Sequence, residues 1–398
     1  MAITKELLTT LSRQHDSFYL YDGPGIARRA EKLKAAFPYA SILYSIKCNP
    51  HPRVLDTVFG AGFGADAASL GEVLLAAERG LAPDAIYFSA PGRTAAELAE
   101  AAGRATIIAD SIHELDMLEE LAAGQGRTLE VGIRLNPGFS FDGGPAGPSK
   151  FGIDEAQVLE LLRQGRCPHL QVTGIHVHLR SQVLDAAAIG GYYRSMFALA
   201  ERVEAVLGRE LAYINLGSGI GVPYAPGQQE VALEELSAIL REAIGGRRSR
   251  IFIESGRYSV CENGVYVTRV LDKKTSCGKT FVILKNTLNG FVRPSLARMA
   301  ERGGANPTPW EPLYTGRDSF AFTPLTQRAE RETVDLVGCL CTGTDVIAEG
   351  IDLPRLEVGD LVCISNAGAY AAVLSPMQFA SLQKPVELFL GADGTAVI

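Results

Sequence analysis

One feature limits what this chain can fold into more than any other: a repeated alternation of two patterns. Short apolar, β-branched runs, "ASILYSIK", "GFGADAAS", "AIYFSA", "ATIIAD", "LEVGIRLNP", "LQVTGIHVHL", "AYINLGSG" and "RIFIESGR", are separated by segments with apolar residues at helical spacing. These segments include "SLGEVLLAAERG", "SIHELDMLEELAAGQG", "DEAQVLELLRQG" and "VALEELSAILREAIGG", most of them closed by glycine. Strict alternation demands parallel strands joined by helical crossovers. About eight such units in roughly 215 residues suit a closed (β/α)8 barrel of the TIM type, with a doubly wound open sheet as the rival. After Arg257 the texture changes. "GVYVTRVLDKKT", "KTFVILKN", "TVDLVGCLC", "DLVCISNAG" and "VELFL" are β-rich and divided by turn residues, with no long helical pattern, which predicts a C-terminal all-β domain. "SFYLYDG" near the start reads as a further strand of that domain. The expected boundaries are residues 24–256 for the barrel, with 1–23 and 257–398 forming the β domain.

The 398 residues are 47% hydrophobic and 21% charged, enough for two cores. A net charge of -7 without a Lys/Arg block argues against nucleic acid or an anionic membrane as partner. Seven cysteines, an odd number with no CxxC pair, suit neither a disulfide framework nor a zinc ribbon. The first residues lack a basic stretch followed by an apolar one, and no apolar run approaches the roughly 18 residues a membrane span needs. A cytoplasmic protein with reduced thiols is expected.

In such a barrel the chemistry gathers at the C-terminal ends of the strands. Those ends carry Lys47, Asp66, Arg134, His178, the glycines of "NLGSGIGVPY", and Glu254 with Arg257. A lysine at a barrel mouth can form a Schiff base with an aldehyde, whereas its ordinary use is to pack its stem and send its amine to water. Glycines after the seventh strand let backbone N–H groups approach a phosphate, and barrels often bind phosphate around strands seven and eight. An aldehyde that also carries a phosphate is pyridoxal 5'-phosphate, whose ring acts as an electron sink once its nitrogen is protonated. Glu254 is the candidate carboxylate to hold that proton. The alternate histidines of "HVHL" share one strand face and invite a metal reading, but no carboxylate cluster or further histidine supports it. His178 is expected against the cofactor ring and His176 in the core.

The order "YSIKCNP", "RLNP", "KFGI", "GIHVHLRSQ", "NLGSGIGVPY", "ESGRY", "CTGTD" and "NAGAY" is similar to the fold-type III pyridoxal-phosphate decarboxylases, the diaminopimelate and ornithine decarboxylase group. The resemblance covers almost the whole chain and implies an alanine-racemase-like barrel. It implies Lys47 as the cofactor-bearing lysine, Asp66 as a residue orienting it, and His178 as the ring-stacking histidine. It places Gly217, Ser218 and Gly219 in the phosphate turn, adds backbone contacts from Gly256 and Arg257, sets Glu254 at the pyridine nitrogen, and puts Tyr370 near the phosphate. Arg293 of "FVRPSL" resembles an arginine that meets a substrate carboxylate, and Ser181 falls among the substrate residues. Cys341 resembles the cysteine this family inserts from a neighbouring subunit as the acid opposite the lysine, which implies a homodimer with shared active sites.

Three departures bear on the substrate. Diaminopimelate decarboxylases usually carry a glutamate directly after the cysteine, and Thr342 stands there; Asp345 is left as the nearby carboxylate for a distal ammonium. Arg180 replaces a usual glycine, and Lys285 opens "KNTLNG" where an acidic-glycine turn is usual. The details look closer to two specialised branches. One decarboxylates a glutamyl group on an acyl-carrier protein in aminoglycoside synthesis, the other a citryl-diaminopropionate conjugate in siderophore synthesis. The expectation is a decarboxylase acting on a free or carrier-bound amino acid with a capped far end. Lysine biosynthesis is the alternative. A racemase of the same fold is disfavoured by Cys341 in a decarboxylase-like loop, and a non-catalytic homologue by the presence of both Lys47 and Cys341.

Overall fold

The computed structural model describes residues 3–217, 219–302 and 316–398. The chain divides into two compact units: Ala30–Gly221 with Glu230–Gly256, and Met1–Arg29 with Val222–Gln229 and Arg257–Ile398. In chain order the first strands are β1 (Ser17–Asp22), β2 (Ser41–Ser45), β3 (Gly64–Ala67), β4 (Ile86–Ser89) and β5 (Thr106–Ala109). They are followed by β6 (Leu129–Asn136), β7 (Ile153–Asp154), β8 (Leu170–His176), β9 (Tyr213–Asn215) and β10 (Arg250–Ser255).

Eight of these strands close on themselves. The order β5-β4-β3-β2-β10-β9-β8-β6 runs around the sheet, and the β5–β6 pairing shuts it, with β7 attached to β6 outside the ring. Every pairing in the ring is parallel. This is the (β/α)8 barrel, and the open-sheet rival is excluded. The crossover helices start where side chains can cap free backbone N–H groups: Ser69, Thr94 and Ser111 each accept from the N–H three residues on.

The interior is packed by Leu43, Tyr87, Ile108, Tyr213 and Phe252. The Tyr213 ring lies where two glycines leave room: a Cβ on Gly174 would meet it at 2.3 Å, and one on Gly132 would meet its hydroxyl at 2.0 Å. Those glycines look like weak points in the strand runs. They are the sockets for a tyrosine.

The second unit adds β11 (Gly264–Ser276), β12 (Lys279–Leu284), β13 (Phe322–Pro324), β14 (Arg331–Gly338), β15 (Val346–Pro354), β16 (Leu361–Ile364), β17 (Val386–Leu390) and β18 (Ala396–Val397). β1 lies inside this sheet, antiparallel to β11 and parallel to β17. All six of its residues are buried, which is why "SFYLYD" has no polar face. Phe18 and Leu20 join Leu8, Val267, Leu361, Leu388 and Leu390 in one cluster. One element departs from the β-rich reading: Val292–Arg302 is an 11-residue helix. Pro294 falls in its first turn, where proline is tolerated because its missing N–H has no intrahelical partner to lose.

Tyr213 is 4% exposed, and among the described residues its hydroxyl has no hydrogen-bond partner. Tyr213→Phe is therefore expected to leave stability unchanged or raise it by about 1 kcal/mol. Tyr213→Ala should cost about 3–5 kcal/mol, both read from denaturant midpoints. A clear loss in the phenylalanine variant would mean that the hydroxyl is bonded after all.

Candidate functional site

The strand ends of the barrel unit bring together an amine, two carboxylates and two imidazoles. β2 stops at Ser45, and the next three residues form a 3-10 turn. The turn buries Ile46 and Cys48 and sends Lys47 outward with its side chain 43% exposed. Parallel register sets Ser45 beside Asp66 of β3. Asp66 Oδ2 accepts from Lys47 Nζ at 2.6 Å and from Ser45 Oγ at 2.7 Å. The carboxylate is 4% exposed, so the lysine is tethered by a buried anion.

Glu254 on β10 is also 4% exposed at its side chain. Asn215 Nδ2, from β9, donates to its Oε1 at 3.0 Å. His176 Nε2, from β8, lies 3.1 Å from the same oxygen, a close polar contact that falls short of an aligned hydrogen bond. Ser89 Oγ holds the other nitrogen of that ring at 3.2 Å. Oε2 faces His178 Nδ1 at 3.9 Å. Burial pushes the Glu254 carboxyl up, but His176, Lys47 and His178 together outweigh it and hold the group well below the usual carboxylate range. Glu254 is an anion at neutral pH. His178 goes the other way: burial, with Arg134, Lys47 and His176, outweighs Glu254 and pulls its pKa down to about 3, although the side chain keeps 24% exposure. Ser181 Oγ lies 3.2 Å from His178 Nε2.

The loop after β9 is shaped by Gly217, at φ +65°, where a Cβ would lie 2.4 Å from Val177 O. Ser218 lies outside the described residues, and Gly219 follows it. A Cβ on Gly256 would meet Cys48 at 3.1 Å, a tight contact that a small shift of the neighbour would have to relieve. The buried Tyr192 ties two of these segments together, its hydroxyl donating to Val177 O at 2.8 Å and to Leu216 O at 3.0 Å. Arg134 pairs with Asp110 at 3.4 Å and lies over the Phe151 ring.

The remaining candidates belong to the sheet unit. Arg257 is buried with its guanidinium 5.3 Å from the Tyr370 ring centre, and Tyr370 takes a left-handed φ of +51°. Cys341 is exposed, so it is not a buried structural thiol. Thr342, half-buried, shares a hydrogen bond of 2.9 Å with Thr344. Three of the residues singled out in the sequence hold partners within the chain. Asp345, expected to serve a substrate ammonium, is buried and spends both oxygens: Thr287 and the Leu288 N–H bind Oδ1, and the Leu340 N–H binds Oδ2. Arg293, expected to meet a substrate carboxylate, is fully buried and donates to Ala369 O at 2.9 Å and Tyr224 Oη at 3.0 Å. Arg180, which stands where a glycine is usual, donates to Asp142 through two contacts of 2.8 and 2.7 Å.

Sequence reasoning passed over Asn215 and Tyr192 and placed His176 merely in the core. The signal for Asn215 was its position, the last strand residue before a glycine loop. No helix of the described residues is long and apolar enough to cross a membrane.

A closed parallel barrel of this kind, with a tethered lysine and a buried anionic glutamate at its strand ends and a separate sheet unit in the same chain, defines a class of barrel enzyme. Residues 24–261 match the family model described as pyridoxal-dependent decarboxylase, pyridoxal binding domain. The chain is 32% identical over 407 residues to the L-glutamyl-[BtrI acyl-carrier protein] decarboxylase of Niallia circulans, covering 98% of this chain and 92% of that one. It is 29% identical to a diaminopimelate decarboxylase of Aquifex aeolicus, covering 93% and 85%. The crystal structure of the Helicobacter pylori diaminopimelate decarboxylase complexed with L-lysine superposes with a TM-score of 0.85 at 29% identity, covering 98% of this chain and 95% of that one. The chain belongs to the pyridoxal-dependent decarboxylase family, and is a lyase whose cofactor is pyridoxal 5'-phosphate. The donor set suits that group. It offers a primary amine for an aldehyde, an anionic carboxylate for a protonated ring nitrogen, and glycine turns for a phosphate.

The His178 shift makes the fold acid-sensitive in a defined window. The unfolded imidazole takes a proton near pH 6.5, whereas the folded one resists to about pH 3. Protons therefore favour the unfolded chain as pH falls through that range, at most about 1.4 kcal/mol per pH unit. His178→Gln should lose less stability than the natural chain between about pH 6.5 and 5 by chemical denaturation. Parallel profiles would rule this out.

Proposed function

We propose that this protein decarboxylates the α-carbon of an amino acid whose far end is acylated, citryl-linked or carried on a protein, in siderophore or antibiotic biosynthesis. One observation carries the site reading: Glu254 is a buried carboxylate at the barrel's strand ends, met at Oε1 by Asn215 Nδ2 at 3.0 Å and His176 Nε2 at 3.1 Å. When bound, pyridoxal phosphate supplies the electron sink that makes loss of a carboxylate from Cα feasible. On the family resemblance, Lys47 and Asp66 would hold its aldehyde end, Glu254 its ring nitrogen and His178 its ring face, and the backbone at Gly217, Ser218, Gly219, Gly256 and Arg257, with Tyr370, would hold its phosphate. The low pKa of His178 keeps that ring neutral, so it adds no positive charge against a protonated cofactor nitrogen. Cys341 Sγ, from the second copy of a homodimer, gives the proton that replaces the departing carboxylate at Cα. Its exposure supports this, since an outward thiol is available to another chain.

The substrate reading rests on Thr342 and Asp345. With Asp345 committed to its own loop and a neutral hydroxyl where relatives keep a glutamate, no carboxylate of this loop is left for a distal ammonium. Similarity to a glutamyl-carrier decarboxylase favours the same choice. The alternative, meso-diaminopimelate decarboxylation in lysine biosynthesis, draws on the diaminopimelate decarboxylases that are also similar.

Two experiments test the proposal. Mixed, exchangeable subunits of Lys47→Ala and Cys341→Ala, each inactive alone, should regain part of the activity, because some heterodimers hold one intact site. No recovery despite proven exchange removes the shared site. The second measures carbon dioxide release from free, citryl-linked and carrier-bound amino acids. A charge-assisted hydrogen bond to an ammonium contributes roughly 1.5–3 kcal/mol, so the natural chain should prefer a capped substrate and Thr342→Glu should shift kcat/KM toward diamino acids by about ten- to a hundredfold. Faster turnover of meso-diaminopimelate than of every capped candidate by the natural chain would install lysine biosynthesis instead.

A further inference from the structure

We infer that Asn215 is a positioning residue that joins the two ends of the cofactor pocket, setting Glu254 and the Gly217 loop in one arrangement through a single side-chain amide. Asn215 is the last residue of β9 and is 0% exposed. Its Nδ2 donates to Glu254 Oε1 at 3.0 Å, and its Oδ1 accepts from the Gly217 N–H at 2.9 Å. Only one orientation of the amide satisfies both. A carboxylate can only accept and a backbone N–H can only donate, so a flipped amide would oppose oxygen to oxygen and nitrogen to nitrogen. Glu254 and Gly217 therefore select the same rotamer and hold each other through it. A backbone hydrogen bond from the Glu254 N–H to Gly217 O at 2.8 Å runs alongside.

The consequence is directional. Asn215 donates to Oε1, which His176 Nε2 also approaches at 3.1 Å, and Oε2 is left turned toward His178, at 3.9 Å. Under the proposed function, the oxygen that meets a protonated ring nitrogen is thus chosen before anything binds, and the loop that receives the phosphate is set by the same amide. Asparagine is required for the pair of tasks. Aspartate keeps the acceptor for Gly217 but turns the donor into a second anion beside Glu254, and alanine removes both contacts.

This inference rests on the proposed placement of Glu254 at the ring nitrogen, and its test separates the two. Binding of pyridoxal 5'-phosphate and of its 1-deaza analogue, which has carbon in place of the ring nitrogen, is measured by absorbance titration without substrate. The natural chain should bind the nitrogen-bearing form more tightly; equal binding would sink the Glu254 placement itself. Asn215→Asp should weaken pyridoxal phosphate roughly tenfold and leave the analogue nearly unchanged, while Asn215→Ala should weaken both, the nitrogen-bearing form more. Thermal melts of the free variants identify any that do not fold, and the alanine variant alone still decides the matter. If each folded variant loses both ligands by the same factor, Asn215 is only a packing residue and the inference is overturned.

Discussion

A carboxylate kept ionised inside a barrel is the constraint on which the rest of this site depends. Removing Glu254 from water is costly, and the charge persists only because groups from other strands approach it. β8 supplies His176, β9 supplies Asn215, and Lys47 follows β2. None of these is near Glu254 in sequence. They meet because the ring closes: β10 pairs with β9 on one side and β2 on the other. A slip of one residue in either pairing would turn Glu254 to the other side of its strand and leave the donors unanswered. The charge therefore ties the chemistry to strand register.

The same economy explains the barrel's unusual glycines. Gly132 and Gly174 let Tyr213 fill the interior, and Gly217 permits a turn that a side chain would obstruct at Val177 O. Packing consumes the first two, and loop geometry the third.

Much of this was legible in the sequence. Eight apolar runs at regular spacing announced parallel strands, because both periods, two for strand and 3.6 for helix, are written in side-chain order. Lys47, Asp66, His178 and Glu254 could be chosen because the strand ends of a barrel are where chemistry collects. What lay hidden was pairwise. Nothing local tells Asp345, which is consumed by three donors of its own unit, from a carboxylate offered to a ligand, or Arg180 beside Asp142 from a free cation. Charge in a sequence is a count, whereas charge at a site is what remains after partners are assigned. The helix Val292–Arg302 lay hidden among β-rich neighbours, in a region read as having no long helical pattern.

Asp345 also suggests how the Cys341 loop keeps its shape. An exposed loop carrying a thiol and a hydroxyl would ordinarily pay conformational entropy each time it was used. Here the turn from Gly338 to Asp345 is drawn together by one buried carboxylate. Asp345 accepts from Leu340 within the loop and from Thr287 and Leu288 outside it, while the Gly338 N–H binds its carbonyl at 2.9 Å. Cys341 and Thr342 ride on that frame, the cysteine exposed and the threonine half-buried. Under the proposed function, the residue that frames the loop and the residue that reads the substrate's far end are separate. Position 342 can then change between glutamate and threonine, and with it the preferred substrate, without unmaking the loop that presents the acid.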